Sequence, residues 1–364
     1  MKEFRDKKVI QGLLREIEKK ASFPDGPVKI MEVCGTHTMT IHKFGLKKML
    51  LEAGVEMLSG PGCPVCITPN AFHEAAIELV TQRKNLVLTT FGDMTRVPTR
   101  KGAIQTTVPG QGSRVKIVYS PEESLEIAAK NPDKDVVFFG VGFETTIPGI
   151  AVTVKEACND HLSNFSLLSA FWLIPPPLRA IVQDKDIAVQ GFLYPGHVSV
   201  IIGEDPYRFI ARDYGIPGAI TGFEPSDILL SILSILRQLQ KGKAEVSNEY
   251  ARVVKPSGNP QARAIMAEML ETKDAHWRGL GLIPDSGLKL KKRYSTYDAE
   301  FKYGLRLKAG SDDLPGCRCG EVLQGKIAPT LCPLFGTKCT PESPYGPCMV
   351  SFEGACLAHY KYSS

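Results

Sequence analysis

Val28-Lys-Ile-Met-Glu-Val-Cys-Gly-Thr-His37 carries the reading of the fold. Apolar and polar residues alternate up to Val33 as in a strand, and Cys34, Gly35, Thr36 and His37 then break the alternation as a loop does. The layout follows twice more. Val55-Glu-Met-Leu58 runs into Ser59-Gly-Pro-Gly-Cys-Pro-Val-Cys66, and Asn85-Leu-Val-Leu-Thr-Thr90 runs into Phe91-Gly-Asp-Met94. Helical patterns such as Ala71 to Thr81 lie between. Strands alternating with helices form parallel βαβ units, whose functional loops gather at the carboxyl ends of the strands.

Further along, Asp135-Val-Val-Phe-Phe139 leads to Gly140-Val-Gly-Phe-Glu-Thr-Thr146, and Ile187-Ala-Val-Gln190 leads to Gly191-Phe-Leu-Tyr-Pro-Gly-His197. Gly218-Ala-Ile-Thr221 leads to Gly222-Phe-Glu-Pro225, after which Asp227 to Leu239 is an apolar-striped helix. The expectation is an α/β protein of two similar parallel-sheet βαβ units followed by a C-terminal cysteine-rich iron–sulfur domain. The first unit spans residues 1–130 and opens on an amphipathic helix with Val9, Leu13, Leu14 and Ile17 at helical spacing. The second spans 131–240, and the polar stretch Lys241 to Asn259 leads into the third region, 241–364.

Composition bounds the function classes. With 43% hydrophobic and 23% charged residues, the 364-residue chain is an ordinary globular protein. Its formal charge of +5 is spread along the sequence, and the densest basic run, Lys289, Lys291, Lys292 and Arg293, lacks interleaved aromatics. A solvated surface accounts for that run, with no nucleic-acid partner expected. No apolar run approaches the roughly 18 residues that would span a membrane. The opening Met1-Lys-Glu-Phe-Arg-Asp-Lys-Lys-Val9 is not a secretory signal, so a cytoplasmic protein is expected.

Six of the ten cysteines fall within residues 317–364: Cys317, Cys319, Cys332, Cys339, Cys348 and Cys356. The glycines and prolines around them break helices and supply little apolar material for a core. Thiolate-bound iron–sulfur or zinc orders such a segment directly, whereas disulfides are uncommon in a reducing compartment. Upstream, Cys63-Pro-Val-Cys66 stands at a strand-to-helix junction, where a helix N-terminus lowers a thiol pKa and suits a redox dithiol. Half a zinc site and two buried thiols fit the same spacing. Cys34, with His37 and His42 nearby, ends a neighbouring strand, so three thiols converge if the strands adjoin. Cys158, in the helix Ala151 to Asp160, reads as a small buried hydrophobe. Phosphate chemistry is disfavoured, because Gly140-Val-Gly142 lacks both the third glycine of a dinucleotide fingerprint and the Lys-Ser/Thr of a P-loop.

Met31-Glu-Val-Cys-Gly-Thr-His37, Ser59-Gly-Pro-Gly-Cys-Pro-Val-Cys66, Phe91-Gly-Asp-Met94, Gly142-Phe-Glu-Thr-Thr146, Pro195-Gly-His-Val-Ser199, Gly222-Phe-Glu-Pro225 and Gly346-Pro-Cys-Met-Val-Ser-Phe-Glu-Gly-Ala-Cys356 resemble, in this order and over nearly the whole chain, the HypD family of hydrogenase maturation factors. The basic, polar stretch Thr95 to Gly112 departs from the family pattern. The resemblance implies a scaffold on which the Fe(CN)2CO moiety of nickel–iron hydrogenase is assembled, in complex with the chaperone HypC and with cyanide from HypE and HypF. It implies that Cys34 holds that iron, that His37 lies beside it, that Cys63 and Cys66 are a redox dithiol, and that the third region carries a 4Fe-4S cluster.

A cubane cluster takes four thiolates. The expected set is Cys317, Cys332, Cys339 and Cys356, leaving Cys319 and Cys348 as a second thiol pair between cluster and dithiol. Thr36, Asp93, Glu144, Thr145 and His197 are expected to line the crevice as hydrogen-bonding groups. Two other readings compete. An iron–sulfur-dependent thiol/disulfide reductase needs Cys63 and Cys66 but not Cys34, and a zinc-stabilised interaction module is colourless.

Overall fold

The structure, a computed structural model, describes residues 2–24, 26–108, 114–186, 188–307 and 314–362. Asp6 caps the first long helix, Lys7–Lys20, by accepting from the backbone N–H of Lys8 and Val9, which satisfies two of its free amides. The helix buries Ile17 against the helix Pro225–Gln240, whose apolar stripe includes Ile228, Ile232 and Ile235.

Eleven strands run in chain order among the described residues. They are β1 (Val28–Glu32), β2 (Val55–Ser59), β3 (Leu86–Thr90), β4 (Val115–Ile117), β5 (Asp135–Gly142), β6 (Phe165–Trp172), β7 (Gly191–Pro195), β8 (Gly218–Thr221), β9 (Val246–Asn248), β10 (Leu270–Trp277) and β11 (Gly281–Leu290). They build two sheets. One has the order β2-β1-β7-β8-β9 and is wholly parallel. The other has the order β10-β11-β6-β5-β3-β4, parallel except where the β10–β11 hairpin adds antiparallel to β6. The central strands β5 and β6 read as near-continuous apolar runs because both of their faces are covered.

The fold class is the expected one, an α/β protein with two parallel-dominated sheets and a cysteine-rich C-terminal region. The sheets interleave in sequence. Residues 1–130 supply β1 and β2 to one sheet and β3 and β4 to the other, and residues 131–240 are shared in the same way. A single core cluster spans both: Met31, Val33, Phe192 and Tyr194 of the first sheet meet Leu88, Phe139, Val141 and Trp172 of the second, and Cys63, Cys66, Cys319 and Cys348 belong to it too.

One detail differs from expectation. The strand anticipated over 187–190 begins at Gly191, and Ile187 lies outside the described residues. At Gln190 the side-chain amide oxygen, rather than a backbone carbonyl, accepts the Lys29 N–H at 2.9 Å, so the ladder has not yet become regular. Within the basic stretch 95–112, of which 109–112 are outside the described residues, Arg96 donates to the Val350 carbonyl at 2.6 Å and Lys101 pairs with Glu78. Those cations therefore tie the stretch to its own protein.

Candidate functional site

In the first sheet the chain leaves β1 toward β2 on one side, while β7 continues to β8 and β9 on the other. The β1/β7 boundary is thus a topological switch point, where open α/β sheets hold ligands. A cavity of about 200 Å³ opens there. Cys34 and Thr36 reach it from the end of β1, His197 from the end of β7, and Thr145 and Thr146 from the end of β5 in the second sheet. Glu353 closes it from the C-terminal region.

The glycines explain how tightly the walls meet. A Cβ on Gly62 would lie 2.2 Å from the Cys34 nitrogen, and one on Gly35 would lie 2.2 Å from the Glu353 Cβ. Only a bare backbone lets the three segments close on each other. The Gly35 N–H donates to the Gly62 carbonyl at 2.9 Å, and the Thr36 hydroxyl donates to Glu353 Oε1 at 3.0 Å.

Burial, followed by the nearby Glu353 carboxylate, pushes the Cys34 thiol up to about 12. Without a bound cation it is a neutral thiol, and a metal ion binding there displaces its proton. Behind the cavity, burial raises Glu32 to about 8 against the hydrogen bonds it accepts from Thr38 and Cys34. Burial likewise lowers His37 to about 3. The His37 ring packs at 5.1 Å from Phe223, which also stacks on the His197 ring at 3.9 Å.

Cys63 and Cys66 form a disulfide at the start of the short helix Pro64–Ile67, and the Cys66 N–H donates to Cys63 Sγ at 3.2 Å. Cys66 Sγ lies 4.0 Å from the carbonyl of Pro347, the residue before Cys348. Cys348 Sγ in turn stands 2.8 Å from Cys319 Sγ. Hydrogen bonds from Cys317 first, then Cys348, hold the Cys319 thiol well below its ordinary pKa, while contact with Cys319 and Cys356 raises Cys348.

All six thiols of the C-terminal region border one small apolar hollow with Leu334, Phe335 and Met349. Among the described residues no three His, Cys, Asp or Glu side chains are drawn together as a single-ion site. The donor set fits an iron–sulfur cluster on its chemistry, being soft sulfur in an apolar surround. Gly346 supports the fit, because a Cβ there would lie 2.8 Å from Cys317 Sγ and crowd the thiols.

The structure brings Cys34, Thr36, Thr145 and His197 together at the cavity. Glu144 and Asp93, expected in the lining, stand outside it. Glu144 turns inward, where Oε1 accepts the Ile174 N–H at 3.0 Å and burial raises its pKa to about 7, and Asp93 sits 4.0 Å from Arg96. His37 is behind the wall rather than in it. Sequence reasoning passed over Glu353 and Phe223, both of which stand in motifs already quoted, and Arg278. Arg278, 1% exposed, tips the β10–β11 hairpin and donates to the Thr68 carbonyl at 2.9 Å and Asn70 Oδ1 at 2.7 Å, bracing the segment just after Cys66.

The protein is thus a two-sheet α/β scaffold with a switch-point thiol, an adjoining CxxC disulfide and a cysteine-rich region packed behind it. A profile of the HypD family, described as the hydrogenase formation hypA family, matches residues 8–363. The chain belongs to that family. It is 44% identical over 368 residues to the hydrogenase maturation factor HypD of Rhodobacter capsulatus, covering 99% of this chain and 97% of that one. The HypD2 factor of Bradyrhizobium diazoefficiens is 43% identical over 367 residues, covering 99% and 96%. The HypD factor of Escherichia coli K12 is 40% identical over 365 residues, covering 99% and 97%.

Proposed function

We propose that the protein is a hydrogenase maturation factor, the scaffold on which the Fe(CN)2CO moiety of nickel–iron hydrogenase is assembled in complex with the chaperone HypC, with HypE and HypF supplying cyanide. The observation that carries this reading is the convergence of Cys34, the Cys63–Cys66 disulfide loop, His197 and Glu353 at one switch-point cavity. Iron is the cargo there. Cys34 supplies a soft thiolate to it, with Val33, Phe143 and Ile174 among the apolar residues of the lining. Thr36 and Glu353, hydrogen-bonded to each other, and the Phe223-stacked His197 line the same cavity, and the neutral His197 ring would offer one N–H to a cyanide nitrogen.

Cys317, Cys332, Cys339 and Cys356 would hold a 4Fe-4S cluster, which supplies single electrons when bound. Cys319 and Cys348 stand next to each other, and the carbonyl of Pro347, beside Cys348, lies 4.0 Å from Cys66 Sγ. By thiol–disulfide exchange a Cys319–Cys348 dithiol would pass two electrons and two protons to the Cys63–Cys66 disulfide and itself become a disulfide. The Cys63–Cys66 loop meets the Cys34 side through Gly62.

The test is an anaerobic infrared spectrum of the protein copurified with HypC, alongside iron and acid-labile sulfide counts. Cyanide and carbon monoxide bands with iron in excess of sulfide support the scaffold. A cluster without those bands, from cells making the whole maturation set, moves the reading to a thiol/disulfide reductase.

A further inference from the structure

We propose that Glu32 is a positioning residue that ties the Cys34 loop to the Cys63–Cys66 loop and so holds Cys34 at the cavity wall. The tie itself is independent of the scaffold reading, which enters only in saying what the positioned thiolate binds.

Glu32 is the last residue of β1 and is 1% exposed. Its Oε2 accepts the Cys34 N–H at 2.9 Å and its Oε1 accepts the Thr38 hydroxyl at 2.5 Å. Those two partners bracket the first turn of the helix Gly35–Lys43. On the other side the Glu32 backbone carbonyl accepts the Gly60 N–H at 2.8 Å. Gly60 opens the loop that leads to Cys63. One residue therefore holds both thiol-bearing loops at their roots, the first by its side chain and the second by its backbone.

Cys34 is the N-cap of its helix, with extended backbone. Glu32 holds the Cys34 N–H from beneath while the Cys34 side chain lines the cavity. An apolar residue would fill a buried strand position at lower cost, since a buried carboxyl is unfavourable unless its oxygens are bonded. Both oxygens are bonded, one to each end of the turn.

The experiment uses the full-length reduced chain without partner and measures the rate at which Cys34 is alkylated by iodoacetamide, mapped by mass spectrometry. The variants are Glu32→Ala, Glu32→Gln and Thr38→Val. Glu32→Ala is expected to expose Cys34 and speed its alkylation about tenfold, in line with the loss of a buried acceptor. Glu32→Gln keeps an amide oxygen for the Cys34 N–H, while the Thr38 hydroxyl can turn to accept, so its rate is expected to stay within about twofold of the parent. Thr38→Val is expected to fall between them. Should Glu32→Ala fail to fold, the other two variants carry the test. A folded Glu32→Ala protein with the parent's rate, a Thr38→Val protein with the parent's rate, or a Glu32→Gln protein as fast as Glu32→Ala each overturns the proposal. If the alkylation pattern holds while the parent copurified with HypC shows no cyanide or carbon monoxide bands, the tie stands and the scaffold reading is the one that fails.

Discussion

At the scale of single residues, the site combines a thiol that burial keeps protonated with carboxyls and imidazoles that burial keeps neutral. Cys34→Ala should abolish iron loading in the HypC complex while the iron and sulfide of the C-terminal thiols stay at parent levels; cyanide bands in that variant would remove Cys34 from its assigned role. Glu144 titrates higher when folded, about 7 against an ordinary 4.5, so the folded chain holds the proton more tightly. Its contribution to stability is whole below pH 4.5 and is lost as pH rises through 7, amounting to at most about 3 kcal/mol by linkage. Denaturant melts of Glu144→Gln should lack that decline. His73 behaves in the opposite sense. Burial beside Phe139 lowers it from 6.5 to about 3, so its contribution is present above pH 6.5 and is lost as pH falls toward 3, and His73→Leu should flatten the acid side of the melt series.

Among the elements, the β10–β11 hairpin tip stands out because it touches three others. Trp277 packs at 6.0 Å from Phe143 beside the cavity, Arg278 binds the segment after Cys66, and Gly279 leaves no room for a Cβ, which would come 2.5 Å from the Gly320 Cα. Arg278→Ala should cost about 3 kcal/mol, because the buried Thr68 carbonyl and Asn70 amide lose their donors, and chemical denaturation measures it. At this scale the sequence was partly legible. β1, β2, β3 and their thiol-bearing loops follow from alternation ending in Gly and Cys, which is local information. The pairing of β1 with β7, the hairpin's reach into the thiol region and the inward turn of Glu144 depend on partners distant in sequence, which periodicity does not encode. Glu32 was read only as one polar tooth of an alternating strand, since nothing local marks a carboxyl that will end up buried. Glu353 and Phe223 were visible as members of recognised motifs, but their contact with Thr36 and His197 exists only once the sheets are assembled.

For the whole molecule, the two sheets and the cysteine region share one core, so ligand state and tertiary structure are linked. A cluster bound by the C-terminal thiols stabilises the state that binds it. On the proposed reading, a chelator that strips the cluster should make limited proteolysis start within residues 314–362 while the sheets persist; cleavage beginning in the sheets would contradict this. The interleaving of the sheets has a further consequence, for biosynthesis. β1 leaves the ribosome long before β7, its neighbour in the finished sheet. At roughly 5–20 residues per second, some 160 residues of translation leave Cys34 without its wall for about 8 to 30 s, and Cys63 and Cys66 wait for a somewhat shorter time. The nascent chain therefore passes through a window in which its reactive sulfurs are open to oxidants and stray metals, and a chaperone or reductant that meets the chain during synthesis would have more to protect than one that meets it afterwards.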